Sequence, residues 1–130
     1  MNKKEFLKQV EMSKVPIIVD LWAPWCAPCR AMEPALKQVS AEFAGKVRVL
    51  KINADDSQDV LNHLGVMGIP TVVAYAGGKE VMRRSGIQPA DALRSLFEAA
   101  FAGKKPVVIP PTPIGRIVRV IAGLGAVVAG

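Results

Sequence analysis

The chain of 130 residues is short of several residue types, and each shortage argues against a class of protein. Two cysteines are too few for the disulfide framework of a small secreted domain. The single histidine, His63, and the two cysteines together are too few ligands for a structural zinc site, so no metal is expected. Aromatic residues make up only 5% and are not interleaved with a basic patch, so no nucleic-acid partner is expected.

Acidic residues are absent from the end of the chain, and the net charge of the whole chain is +6. Residues 1–102 carry thirteen basic and eleven acidic side chains, whereas Lys104, Lys105, Arg116 and Arg119 have no acidic neighbours. The proline-rich residues 104–113 predict a stiff linker between a domain of residues 1–103 and an apolar tail of residues 114–130.

No apolar run is long enough to cross a membrane: the uninterrupted stretch 120–130 has eleven residues, whereas a span needs about twenty. Three interpretations of the tail stay open, namely a disordered or weakly membrane-associated segment, the start of a span that is cut short, or a strand of residues 107–109 on an open sheet edge. The polar first fifteen residues do not look like a secretory signal. We therefore expect a cytoplasmic protein, at the inner face of the membrane if the tail contacts lipid.

Hydrophobic periodicity and turn residues predict an α/β fold. Helices are expected over 4–13, 26–43, 57–63 and 89–103, and strands over 17–22, 47–53, 71–76 and 79–84. This order predicts a mixed sheet of four strands with helices on both faces. Four methionines are expected to fill the core, at Met12, Met32, Met67 and Met82.

The two cysteines lie two residues apart in Trp25-Cys26-Ala27-Pro28-Cys29, directly after an apolar strand-like run. This spacing allows both thiols to close into one small disulfide ring. It also places Cys26 at the start of the following helix, where exposed N–H groups and the helix dipole stabilise a thiolate. A thiolate beside a second thiol is suited to disulfide exchange.

Several separated motifs make residues 4–102 similar to the thioredoxin family. They are the active-site segment 19–30, Pro34 in the following helix, the segment 51–55, the segment 68–71, and the glycines Gly77, Gly78 and Gly86. The resemblance implies a thioredoxin fold in which the usual first strand is missing, so strand 47–53 is expected at a sheet edge. The usual Gly-Pro pair between the cysteines is here Ala27-Pro28.

The resemblance also implies roles for individual residues. Cys26 attacks a client disulfide, and Cys29, expected to be the more buried thiol, then resolves the mixed disulfide. Asp20 is expected to be a buried carboxylate with a raised pKa that takes and returns the Cys29 proton. Lys51 is expected to tune Asp20. The alternative for Lys51 is an ordinary lysine of an edge strand.

Client binding is expected on a small apolar patch beside the disulfide. The predicted binding residues are Trp25, Pro28, Gly68, Ile69, Pro70 and Gly86, with Pro24 and Ile87 adding apolar surface. Pro70 is expected to follow a cis peptide bond, and the backbone of Ile69 to pair with an extended client strand.

The predicted function is therefore a thiol–disulfide oxidoreductase that reduces protein disulfides through Cys26 and Cys29. The sequence has no nucleotide-binding motif, so the Cys26–Cys29 disulfide is the only redox group expected. The implied partners are client proteins and an NADPH-dependent thioredoxin reductase, and the chain is expected to be a monomer. Two alternatives stay open: a thiol oxidase or isomerase, and a binding module whose thiols are idle.

Overall fold

The computed structural model describes residues 1–103, so the predicted linker and tail lie outside the described residues. Every predicted helix and strand is found, with bounds within one residue of those expected. A short 3-10 turn, Ala54–Asp56, was not predicted. The helices are α1 Lys3–Met12, α2 Ala27–Glu42, α3 Gln58–Leu64 and α4 Ala90–Gly103, and the strands are β1 Ile17–Trp22, β2 Arg48–Asn53, β3 Thr71–Ala76 and β4 Lys79–Ser85.

The four strands form one mixed sheet in the order β2-β1-β3-β4. Strands β1 and β2 run parallel, whereas β3 is antiparallel to both β1 and β4. The central strands β1 and β3 read as nearly continuous apolar runs because both of their faces are covered. Within residues 1–103, β2 pairs only with β1, which confirms the prediction that this strand lies at a sheet edge.

Helices cover both faces of this sheet and produce two core clusters. Helices α1 and α3 pack on one face through Phe6 and Val60, and helices α2 and α4 pack on the other through Met32 and Phe97. Side chains alternate along a strand. Ile18 of β1 belongs to the α2–α4 cluster, whereas its neighbours Ile17, Val19 and Leu21 belong to the α1–α3 cluster. Asp20 is two residues from Ile18 along β1, so its side chain lies on the same face of the sheet, the one that α2 covers.

Local signals set the helix ends. Asn2 caps α1 by accepting a hydrogen bond from the Glu5 N–H at 2.8 Å. Gly65 ends α3 in the left-handed conformation, with φ of 68°, which glycine adopts without a side-chain clash. Ser57 occupies the predicted N-cap position of α3, but its side chain does not cap the helix. Its hydroxyl instead accepts a hydrogen bond from the amino terminus of Met1 at 3.1 Å.

The prediction that all four methionines fill the core is wrong for two of them. Met67 is 100% exposed and Met12 is 70% exposed, whereas Met32 is buried and Met82 is partly buried. Met67 lies in the loop after α3, where no helical or strand period directs a side chain inward. Met12 is the last residue of α1, beyond the buried positions Phe6 and Val10.

Candidate active site

The two cysteines form a disulfide at the N-terminus of α2. Cys26 is the N-cap of this helix, and its Sγ accepts a hydrogen bond from the Cys29 N–H at 3.3 Å. The disulfide packs against the buried Ala23, with Trp22 and Ile69 beside it. The prediction that Cys29 is the more buried cysteine is wrong for this oxidised state, because both cysteines are 4% exposed.

The position of Cys26 at the helix end suits a thiolate. The first turn of an α-helix has backbone N–H groups without carbonyl partners, and the helix dipole is positive there. One of these N–H groups, that of Cys29, already points at the Cys26 sulfur. When the disulfide is reduced, this group is in place to stabilise a negative charge on that sulfur.

Asp20 lies in the middle of the buried strand β1 and is only 2% exposed. Desolvation by burial raises the pKa of its carboxyl from 3.8 to about 6; the positive charge of Lys51 opposes this rise, and the negative charge of Glu33 adds to it. No hydrogen-bond donor reaches its Oδ1 from the residues that the structure describes. Asp20 is buried, as predicted, and the pKa of its carboxyl shifts in the predicted direction.

Lys51 lies opposite Asp20 in the register of β1 and β2. Its ammonium group forms an ion pair with Glu33 at 2.8 Å and lies 4.6 Å from the ring centre of Trp22. Lys51 therefore influences Asp20 through its charge, while its hydrogen bond goes to Glu33. A crevice of about 330 Å³ is lined by Trp22, Cys29, Arg30, Glu33 and Lys51.

The loop before β3 lies beside the disulfide. The Ile69–Pro70 peptide bond is cis, as predicted. Hydrogen bonds fix this loop on both sides: the Thr71 hydroxyl donates to the Gly68 carbonyl at 2.7 Å, and the Gly86 N–H donates to the Pro70 carbonyl at 2.8 Å. Gly86 is thereby held next to Pro70, with a φ of 84° that favours glycine.

In a comparison with models of known protein families, residues 1–99 match the model described as Thioredoxin. The chain belongs to the thioredoxin family. It is 41% identical to a thioredoxin of Haemophilus influenzae over 68% of this chain and 82% of the relative. It is 37% identical to Thioredoxin 1 of Nostoc sp. over 72% of this chain and 87% of the relative. It is also 37% identical to the chloroplastic Thioredoxin M4 of Arabidopsis thaliana over 75% of this chain, but that match spans only 51% of the relative.

Membership in the thioredoxin family and the disulfide at the start of α2 together make this chain a thiol–disulfide oxidoreductase. Its redox-active group is the Cys26–Cys29 disulfide of the chain itself. In the described part of the chain, no three His, Cys, Asp or Glu side chains are grouped so that they could hold a metal ion. None of the helices within residues 1–103 is both long enough and apolar enough to span a membrane.

Three of the six predicted client-binding residues, Trp25, Gly68 and Ile69, line one groove, which has a volume of about 310 Å³. The Trp25 side chain is 66% exposed, and its indole Nε1 donates to both carboxylate oxygens of Asp55 at 3.0 and 3.1 Å. This bond holds a large aromatic surface open to solvent beside the thioredoxin disulfide. Pro28 and Gly86 are exposed outside the groove, and Pro70 is buried.

Besides Asp55, sequence analysis gave no role in this site to two further residues, Met67 and Glu33. Met67 lines the groove beside Gly68 and is fully exposed, but its loop gave no periodic signal. Glu33 binds Lys51 and raises the pKa of Asp20. A signal for Glu33 was available, because it follows Cys29 by one helical turn and therefore shares a face of α2 with it.

Proposed function

We propose that this thioredoxin-family protein reduces disulfides of client proteins, with Cys26 as the attacking nucleophile and Cys29 as the resolving thiol. One observation carries this assignment: Cys26 is the N-cap of α2, and its sulfur accepts the Cys29 N–H. This position favours the thiolate of Cys26 over that of Cys29, which lies one turn further into the helix.

The proposed reaction transfers two electrons from the dithiol to the client. The Cys26 thiolate attacks one client sulfur, the client disulfide breaks, and the leaving client sulfur takes up a proton. Cys29 then loses its proton and attacks the Cys26 sulfur of the mixed disulfide. The second client sulfur leaves as a thiolate and is protonated, and the Cys26–Cys29 disulfide remains. The client is reduced and the protein is oxidised.

We propose Asp20 as the group that takes the Cys29 proton. Asp20 lies on the face of the sheet that α2 covers, and α2 carries Cys29 in its first turn. Burial raises the pKa of Asp20 to about 6, so that near neutral pH its carboxylate is a stronger base than an exposed aspartate. Lys51 tunes this carboxylate through its charge.

We propose that the client docks in the groove beside Trp25. The exposed Met67 and the half-buried Ile69 provide apolar contacts in this groove, with Ile69 next to the disulfide, and methionine adapts to clients of different shape. The peptide before Pro70 is held by the bonds of Thr71 and Gly86. Its fixed backbone at Ile69 is suited to pair with an extended client segment next to the reacting sulfurs.

We further propose that an NADPH-dependent thioredoxin reductase returns two electrons to the Cys26–Cys29 disulfide, and that the chain acts as a monomer in a reducing compartment such as the cytoplasm. Each client reduced leaves the protein oxidised, so turnover needs an electron donor. The chloroplastic relative shows that a member of the family also serves another compartment. Coupling is tested by following NADPH consumption with a thioredoxin reductase, this protein and insulin as client.

The assignment of the two cysteines is tested by single substitutions. Cys26→Ser should lower insulin reduction to the rate without protein, whereas Cys29→Ser should accumulate a mixed disulfide that is visible on a non-reducing gel. Ser40→Ala, in the last turn of α2 and far along the helix from the cysteines, is the matched control and should leave the rate unchanged. If Cys26→Ser reduces insulin as fast as the parent protein, the proposed mechanism is wrong.

The direction of exchange is tested by the reduction potential, measured by equilibration in dithiothreitol buffers with tryptophan fluorescence as the signal. A reductase of this family is expected to have a reduction potential of about −270 mV, whereas a potential above about −180 mV would favour the oxidase or isomerase. If reductant and oxidant did not interconvert two states, the chain would be a binding module with idle thiols.

A further inference from the structure

Glu33 occupies a position that connects the disulfide to the edge of the sheet. It follows Cys29 by one turn of α2 and lines the same crevice. Its Oε1 accepts a hydrogen bond from the Lys51 ammonium at 2.8 Å. The two side chains are 30% and 37% exposed, so this ion pair lies at the mouth of the crevice rather than in the core.

The ion pair determines where the charge of Lys51 lies. The Lys51 ammonium is held between the Glu33 carboxylate and the ring of Trp22, whose centre is 4.6 Å away. Lys51 of β2 stands opposite Asp20 of β1, so the backbone positions would allow the Lys51 ammonium to lie closer to the Asp20 carboxylate. Its hydrogen bond nevertheless goes to Glu33, and Oδ1 of Asp20 has no donor within residues 1–103.

Within residues 1–103, few charges act on Asp20, so the effect of Glu33 can be isolated. In this part of the chain, Lys51 from β2 and Glu33 from α2 are the charges that act on its carboxyl. Cys29, also on α2, does not titrate in the disulfide. Val72, the partner of Asp20 on β3, is apolar, as are the α4 residues Leu93 and Phe97 that pack on this face.

We propose that Glu33 is a positioning residue for proton transfer at Cys29, because its carboxylate holds the Lys51 ammonium against Trp22 instead of in a direct bond with Asp20. The proposal rests on the proposed role of Asp20 as proton acceptor. Without Glu33, the ammonium is free to approach Asp20, and the negative charge that opposes ionisation of Asp20 is lost. Both changes favour the carboxylate of Asp20, so they act in the same direction.

An effect on stability alone does not explain this ion pair. Its two partners are partly exposed, and such pairs contribute little to the free energy of unfolding. A second pair on the same helix, Glu42 with Arg94, has similar exposure and lies near the other end of α2. It therefore provides a matched control for any general effect of removing a carboxylate from α2.

The test is a carbon-13 NMR titration of the Asp20 carboxyl in the oxidised full-length protein, in which the cysteines do not titrate. In Glu33→Gln the Asp20 midpoint should move to lower pH by more than the fitting error, whereas Glu42→Gln should leave it in place. Lys51→Met should move it to higher pH. Because Glu33 is proposed to act through Lys51, Glu33→Gln should move the midpoint less in the Lys51→Met background than in the parent protein.

A kinetic measurement checks the same point in the reduced protein. The rate at which Cys29 resolves a preformed mixed disulfide should show an acid-side midpoint that Glu33→Gln moves to lower pH. The proposal is overturned if Glu33→Gln leaves the Asp20 midpoint unchanged, or if the shift is equal with and without Lys51. The proposed role of Asp20 fails separately if Asp20→Asn leaves the pH dependence of this rate unchanged.

Discussion

Replacement of Asp20 by asparagine should stabilise the protein at neutral pH and leave its stability almost unchanged in acid. Asp20 is 2% exposed, and burial raises the pKa of its carboxyl from 3.8 to about 6. Asparagine has nearly the same shape and no charge to desolvate. The substitution therefore removes the charge of a buried group while it keeps the packing of strand β1.

The magnitude follows from the two pKa values. Well below pH 3.8 the carboxyl is protonated in both the folded and the unfolded chain, so it does not affect folding. Between pH 3.8 and about 6 the unfolded chain ionises first, and the stability falls as the pH rises. Well above pH 6 both states are ionised, and the folded state carries the whole penalty. At about 1.4 kcal/mol per pH unit, the penalty reaches about 3 kcal/mol.

The assay is equilibrium unfolding of the oxidised protein in guanidinium chloride from pH 3.5 to pH 8, followed by tryptophan fluorescence. The gain from Asp20→Asn should rise from a small constant value in acid to about 3 kcal/mol more at pH 8. Asp56→Asn makes the same chemical change at an exposed residue and serves as the control. A gain from Asp20→Asn that does not vary with pH would refute this reasoning.

Two further substitutions test the core and the groove. Phe97→Ala should lower the free energy of unfolding, measured in urea, by about 3–5 kcal/mol. The reason is that Phe97 is fully buried and packs on Phe43, with the two ring centres 5.4 Å apart. Trp25→Ala should lower kcat/KM for insulin about five- to thirtyfold, equivalent to 1–2 kcal/mol of contact energy, and leave reduction of a small disulfide nearly unchanged. Equal losses on both substrates would contradict docking at Trp25.

The elements of the fold could be predicted because their signals are local. The apolar run of β1 follows Pro16, which cannot continue a helix, and Gly65 ends α3 in a conformation that glycine favours. The paired glycines Gly77 and Gly78 both have positive φ and connect β3 to β4. Each signal acts within a few residues, so the element bounds came out within one residue of those observed.

Contacts between distant segments could not be predicted in the same way. Ser57 reads as a helix cap, but the folded chain brings the amino terminus of Met1 to its hydroxyl. The ion pair of Glu33 and Lys51 joins residues 18 positions apart, and only the packing of α2 beside β2 shows it. In the site, the burial of Asp20 and the influence of Lys51 followed from the resemblance, whereas the charge of Glu33 required the fold.

The placement of Asp20 itself argues that strand β1 is built for chemistry as well as for stability. Every other residue of this strand is apolar, and Leu or Val at position 20 would continue the run without a charge to desolvate. With a pKa raised from 3.8 to about 6, the aspartate is expected to destabilise the fold at neutral pH by about 3 kcal/mol, a large part of the 5–15 kcal/mol typical of a domain. A local rule broken at such an energy is expected at a functional site. The break occurs on the sheet face beneath α2, and Glu33 of that helix keeps the Lys51 ammonium from neutralising the carboxylate.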